Sequence, residues 1–185
     1  MGMRHEFPEQ AVDEDEQDRR FAEAITRFGP ALARMARGYE ADPDLRRDLE
    51  QDVQVALWQS FARFDGRCSL SSWVWRVAHN RATSHMIAHR RRNAPGWTSL
   101  DEIALADDAP SPHDTAASEQ AMDLILSIID RLDPPDRQIL LLYLEGVSGA
   151  DTAAITGVSA DVVAARIHRF KSMLARRFAR EGEFA

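Results

Sequence analysis

A chain of 185 residues, 44% of them hydrophobic, has enough apolar material for one ordinary domain or two small ones. No apolar run approaches the roughly 18 residues of a membrane span, and the acidic opening (Glu6, Glu9, Asp13 to Glu16) is the reverse of a signal peptide's basic start. With a single cysteine, Cys68, no internal disulfide can form, so a cytoplasmic protein is expected. The net charge of −7 argues against a polyanionic partner only until its distribution is read: residues 1–18 and 93–119 carry −6 each, leaving +5 on the remainder. Acids crowd both stretches, and Pro, Ser and Ala collect in the second, so residues 1–17 are expected to be a disordered acidic tail and 93–118 an acidic, flexible linker.

Between them, residues 18–92 form the first predicted domain. Phe21, Ala24, Ile25, Phe28, Leu32 and Met35 recur at helical spacing up to a break at Gly38 to Pro43. A second helix is predicted from Asp44 to about Phe64, with Leu49, Val53, Ala56, Leu57 and Ser60 on its core side. Asp48, Gln51, Asp52, Val55 and Trp58 fall on the opposite side. A stripe of acids with Val and Trp away from the core either docks on another protein or belongs to a helix buried on both faces; the pattern alone leaves both open.

Asp65-Gly66 marks a turn, and a third helix is expected from Ser71 or Ser72 into Arg90 to Arg92. Residues 66–92 hold six Arg, three His and no acid, with Trp73 and Trp75 among them. Positive charge neutralises phosphates and aromatic faces stack on unpaired bases, while Asn80 offers an amide to a base edge. For each Trp taken singly, packing in the core is the stronger expectation. His85 and His89 have the i, i+4 spacing of a metal pair, but no third ligand accompanies them, so no metal is expected.

Residues 119–180 form the second predicted domain. Met122, Leu124, Ile125, Ile128, Ile129 and Leu132 set one helix, and a second runs from Asp136 to about Glu145, ended by Gly146. Ser148 to Thr156, the turn Gly157-Val158-Ser159 and a helix from Ala160 to about Arg177 make the short helix, turn and longer helix of a helix-turn-helix. Ser159 is placed to cap the last helix. Val163, Ile167, Phe170 and Leu174 lie on its inner stripe; Asp161, Ala165, His168, Arg169 and Ser172 lie opposite, flanked by Arg166 and Lys171. A basic exposed face there suits a DNA groove, although a solvated surface helix would also be charged. No strand alternation is convincing, so the fold class is all-α. No nucleophile with a positioned base and no Gly-rich phosphate loop occurs, so no catalytic residue or cofactor is expected.

Asp48-Leu49-Glu50-Gln51-Asp52-Val53 with Trp58, Phe64-Asp65-Gly66-Arg67, the run Ser69 to Asn80, and Arg90 to Arg92 resemble region 2 of the extracytoplasmic-function (ECF) RNA polymerase sigma factors. Leu132 to Arg137, Glu145 to Ser148, Gly157-Val158-Ser159 and Arg166 to Arg169 resemble their region 4. The resemblance implies a helical bundle and a helix-turn-helix domain joined by a linker that threads toward the RNA exit path. It implies core RNA polymerase (β′ clamp helices and β flap), promoter DNA and an anti-sigma factor as partners, with no membrane insertion. Asp48, Gln51, Asp52, Val55 and Trp58 would contact polymerase. Arg67, Ser69, Ser72, Trp73, Arg76, Asn80, Arg81, Arg90 and Arg91 would meet the −10 element, and Ser159, Asp161, Ala165, Arg166, His168, Arg169 and Lys171 the −35 element. The family often has Lys and Ser where this chain has Ala164 and Ala165, and Asp161 sets an acid near the DNA. The competing reading is a stand-alone helix-turn-helix regulator whose front domain senses a ligand or dimerises; it leaves the Asp48 to Trp58 stripe without polymerase to bind.

Overall fold

The computed structural model describes residues 14–93, 97–105 and 117–182. Helix α1, Glu14–Tyr39, opens on three acids that complement its N-terminal dipole. Its Ala24, Phe28, Leu32 and Met35 are buried at three- and four-residue spacing, while Pro30 lies on the exposed side. The helix therefore starts four residues before Asp18, inside the expected acidic tail; residues 1–13 of that tail lie outside the described residues. Asp42 ends the break after Tyr39 by accepting from the Asp44 and Leu45 amides at 2.8 and 3.1 Å, and Pro43 begins α2, Pro43–Phe61.

Helix α3, Leu70–Asn93, is capped by Ser69 rather than Ser71 or Ser72: the Ser72 amide donates to Ser69 Oγ at 3.0 Å. Leu49, Val53, Leu57 and Phe61 of α2 share one buried cluster with Val74, Ala78 and Ala82 of α3 and the α1 stripe. His79 is fully buried there; its Nδ1 lies 2.9 Å from the Tyr39 hydroxyl. Burial pushes the His79 imidazole pKa down to about 3.

Residues 97–105, within the expected linker, are structured. Thr98 pairs with the turn at residues 131–133 through Thr98 N to Arg131 O (3.1 Å) and Asp133 N to Thr98 O (3.2 Å). Helix α4, Leu100–Leu105, follows. Ser99 and Glu102 cap it reciprocally: the Glu102 amide donates to Ser99 Oγ and the Ser99 amide to Glu102 Oε2. Leu100 and Ile103 are buried. Residues 94–96 and 106–116, the rest of that stretch, lie outside the described residues.

Helix α5, Ala117–Asp130, and α6, Pro134–Leu144 with Asp133 as N-cap, lead to the helix-turn-helix, α7 (Gly149–Thr156) and α8 (Ala160–Gly182). Ser148 caps α7, and Gly157 closes it at φ 73°, a left-handed position that favours glycine. Val163, Phe170 and Met173 of α8 are buried against α6 and α7. The fold is all-α, with eight helices among the described residues.

The two halves are packed together, and one buried cluster runs through both. Gly38, read from the sequence as part of a break, is instead a buried α1 position where α6 comes close: a Cβ there would sit 2.4 Å from Leu141 Cδ2. Arg137, fully buried, reaches from α6 to the Gly38 and Tyr39 carbonyls at 3.5 and 3.4 Å and to the Asp130 carbonyl. Around this contact Arg34 grips Glu145 with two bonds (3.0 and 2.6 Å), and Arg37 pairs with Asp123.

Candidate polymerase and promoter interfaces

The outer stripe of α2 is open to solvent. Val55 is 54% and Trp58 41% exposed, both large apolar side chains that water does not favour, and Asp48 and Gln51 beside them are exposed too. The alternative of a helix buried on both faces is thereby removed. Trp58 is held in place rather than loose: its Nε1 donates to Asp18 Oδ1 at 2.7 Å, and its carbonyl accepts from Gln17 Nε2 at 2.8 Å. Asp18, the first residue of the expected domain, thus orients the aromatic ring, and Gln17, the last of the expected tail, holds the backbone beneath it.

Asp52, half-buried, takes an ion pair from Arg81 of α3. A residue expected to face polymerase and one expected to face the −10 element are therefore neighbours across the α2–α3 seam.

The basic, aromatic segment divides. Arg67 is exposed in the turn after Asp65, whose carboxylate it meets at 3.0 Å, and Ser69, Asn80 and Arg81 are exposed. Trp73 packs inward, its Nε1 donating to Ser60 Oγ at 2.9 Å and its ring lying 5.2 Å from that of Phe64. Trp75 is buried edge-on to Phe28. Both tryptophans fall on the α3 side that faces α1 and α2: Trp75 joins the core, and Trp73 packs half-buried against it. Ser72 is also buried, its Oγ 3.5 Å from Asp151 at the start of α7; with the halves packed together it does not face open solvent. Arg76 is half-buried, with no hydrogen-bond partner for its Nε. Arg90 and Arg91 continue α3, but their side chains lie outside the described residues. His85 and His89 stack with ring centroids 4.1 Å apart, and among the described residues no group of three ligands suits a metal ion.

On α8, Ser159 caps the N-terminus, and Ser159, Asp161, Ala165, His168, Arg169 and Lys171 are exposed, as the periodicity predicts. Val162, 42% exposed, adds an apolar side chain beside them. Lys171 Nζ lies 5.3 Å from the Tyr143 ring centroid. Arg166 and Arg169 are not free cations. Both bond Asp101 of α4, Arg166 at 3.1 Å, and Arg166 Nε also meets Asp136 of α6 at 3.1 Å. Asp136 is buried; desolvation raises its carboxyl pKa, against the Leu100 amide that it accepts at 3.0 Å and the Arg166 charge. Asp101, Asp136 and Arg137 are not among the site residues expected from the sequence. The Ser-x-x-Glu pattern of Ser99 and Glu102 ahead of apolar Ile103 was the available signal that a helix lay in the linker.

Comparison with known proteins matches residues 24–92 to the Sigma-70 region 2 model and residues 122–174 to the Sigma-70, region 4 model. RNA polymerase sigma factor CnrH of Cupriavidus metallidurans is 29% identical over 165 residues, covering 84% of this chain and 85% of that one. The RNA polymerase sigma-E factor of Streptomyces avermitilis is 30% identical over 153 residues, covering 80% and 79%. Among solved structures, CnrH in complex with the cytosolic domain of CnrY superimposes with a TM-score of 0.61 at 21% identity, over 90% of this chain and 97% of that one.

Proposed function

The chain belongs to the sigma-70 family of RNA polymerase sigma factors, in its ECF type, and from that premise we propose how its surfaces divide the work. As a sigma factor it binds core RNA polymerase and directs promoter recognition and the initiation of transcription. Asp48, Gln51, Val55 and Trp58 form the polymerase-docking stripe, with Asp52 at its edge. The observation that carries this is the pair of exposed apolar residues, Val55 and Trp58, on an otherwise well-buried bundle, with Trp58 held by Asp18.

Arg67, Ser69, Asn80 and Arg81 supply the −10 contacts, phosphates going to the arginines and a base edge to the amide. Ser72 joins them when α7 leaves α3. Helix α8 meets the −35 element through Ser159, Asp161, Ala165 and His168, with Arg166, Arg169 and Lys171 on phosphates. Residues 18–92 and 119–180 act as the two DNA-touching domains. An anti-sigma protein is a further partner, a reading supported by the solved relative's partnership with CnrY. No helix among the described residues is long and apolar enough to cross a membrane; the proposed compartment is the cytoplasm, where polymerase works, and catalysis is left to polymerase.

The test is co-elution. The purified chain mixed with core RNA polymerase is expected to leave a sizing column with it, and core emerging without the chain would reject the reading in favour of a stand-alone regulator.

A further inference from the structure

The side of α8 that carries Arg166 and Arg169 is already occupied by an acidic piece of the same chain. Asp101 lies between Arg166 and Arg169 and accepts from both, while Asp136 holds the second edge of Arg166 from beneath. The piece that brings Asp101 there is docked at several points. Leu100 is fully buried and Ile103 nearly so, the Leu100 amide is bonded to Asp136, and Thr98 exchanges backbone bonds with the α5–α6 turn. All these anchors are in the C-terminal half.

A guanidinium has a limited fork of N–H donors, and a carboxylate and a phosphate ask for the same ones. A carboxylate on the same chain acts at the high local concentration of a short tether, so a duplex must displace it. Helix α4 has six residues, too few to be stable alone, so its position rests on Leu100, Ile103 and Asp101.

We propose that residues 97–105 are an in-chain anionic cover for the phosphate-binding side of α8, holding Arg166 and Arg169 while the protein is free and giving them up to promoter DNA once polymerase draws the linker away. This deepens, and rests on, the reading of α8 as the −35 helix. The free protein then binds promoter duplex weakly, and polymerase supplies not only a second site but the removal of a competitor.

The test compares the full-length wild type with Asp101→Asn, measuring anisotropy of a labelled duplex that spans the −35 region of a start site mapped with the holoenzyme. Glu23→Gln, an exposed α1 position, controls for net charge. Asp101→Asn is expected to tighten binding by the free protein about 5- to 10-fold, as removal of a partly exposed ion-pair competitor at two arginines should, and Glu23→Gln to leave it unchanged. The salt dependence should steepen by about one to two phosphates' worth of counterions. On the holoenzyme the two proteins should agree within about twofold, the cover being absent from both.

Equal or weaker duplex binding by free Asp101→Asn would overturn the proposal, the weaker result meaning that Asp101 instead aims the arginines at DNA. A gain that persists on the holoenzyme would overturn the release step. Asp101→Ala, checked by thermal unfolding, repeats the comparison should the first variant fold poorly. If wild type neither binds core nor yields a start site, it is the sigma-factor reading that fails, a result separate from all of these.

Discussion

Two functional stripes on the same molecule are kept in opposite states. The outer face of α2 leaves Val55 and Trp58 about half exposed among the described residues, whereas on α8 Arg166 and Arg169 are answered by Asp101 and Asp136. An apolar docking face must be exposed to find its partner, at some cost in solubility. A basic one can be covered by a few acids from its own chain and uncovered later. On the proposed roles of these faces, the protein is ready for polymerase before it is ready for DNA.

The comparison breaks first if the cover is not a structural part of the C-terminal half. Leu100→Ala removes a fully buried side chain at the root of α4 and should cost about 2–4 kcal/mol in denaturant unfolding, whereas a loss near zero would return residues 97–105 to the status of a loose tether. On the other stripe, Val55→Asp adds a charge to the centre of an exposed apolar patch and leaves the core untouched. It should weaken core polymerase binding about 30-fold in a competition assay, with unfolding unchanged. It is a cleaner probe than Asp52→Arg, which also repels Arg81.

Acid should separate the halves. The His79 pKa lies near 3 in the folded protein against a usual 6.5, so the unfolded chain takes up a proton there that the native one refuses. Stability from His79 is complete above pH 6.5 and falls by about 1.4 kcal/mol per pH unit as pH drops from 6.5 toward 3. His85, whose pKa burial and His89 also lower, adds to the same loss. Asp136, raised by burial, acts in the opposite sense on the C-terminal half: its charged form is the disfavoured one, so protonation there relieves a cost. Thermal unfolding at pH 7 and pH 5 should show this fall, and His79→Phe should flatten the His79 share of it. The smallest effect is expected from Arg166→Ala with Arg169→Ala. The pair should lower holoenzyme affinity for the −35 duplex by about 5- to 10-fold while leaving core binding intact, which a polymerase pull-down checks alongside anisotropy.

Much of this was legible in the sequence because period and turn chemistry carry it. The inner and outer sides of α2, the Gly157 turn and the inner stripe of α8 stand where apolar spacing put them. Trp73 and Trp75 were ambiguous since an aromatic serves a core and a base stack equally well; only the rotation of α3 against α1 and α2 decides. Composition misled at both acidic stretches: Gln17, at the end of the expected tail, joins Asp18 in bracing Trp58, and Asp101, in the expected linker, braces two arginines, contacts between residues 40 to 68 positions apart that no local window contains. Arg137 stands in the Leu132 to Arg137 motif, but its burial had no local signal for a related reason. A buried arginine is unusual, and this one is met by the nearby Asp130 and by carbonyls at the end of α1, 98 and 99 residues earlier.

The measurement that bears most directly on the whole account is the mapping of transcript 5′ ends made by core RNA polymerase on genomic DNA, with and without the purified chain. The account predicts discrete new start sites that require the chain and vanish with Val55→Asp. End patterns identical with and without the chain, under conditions where the polymerase initiates with another sigma factor, would contradict it.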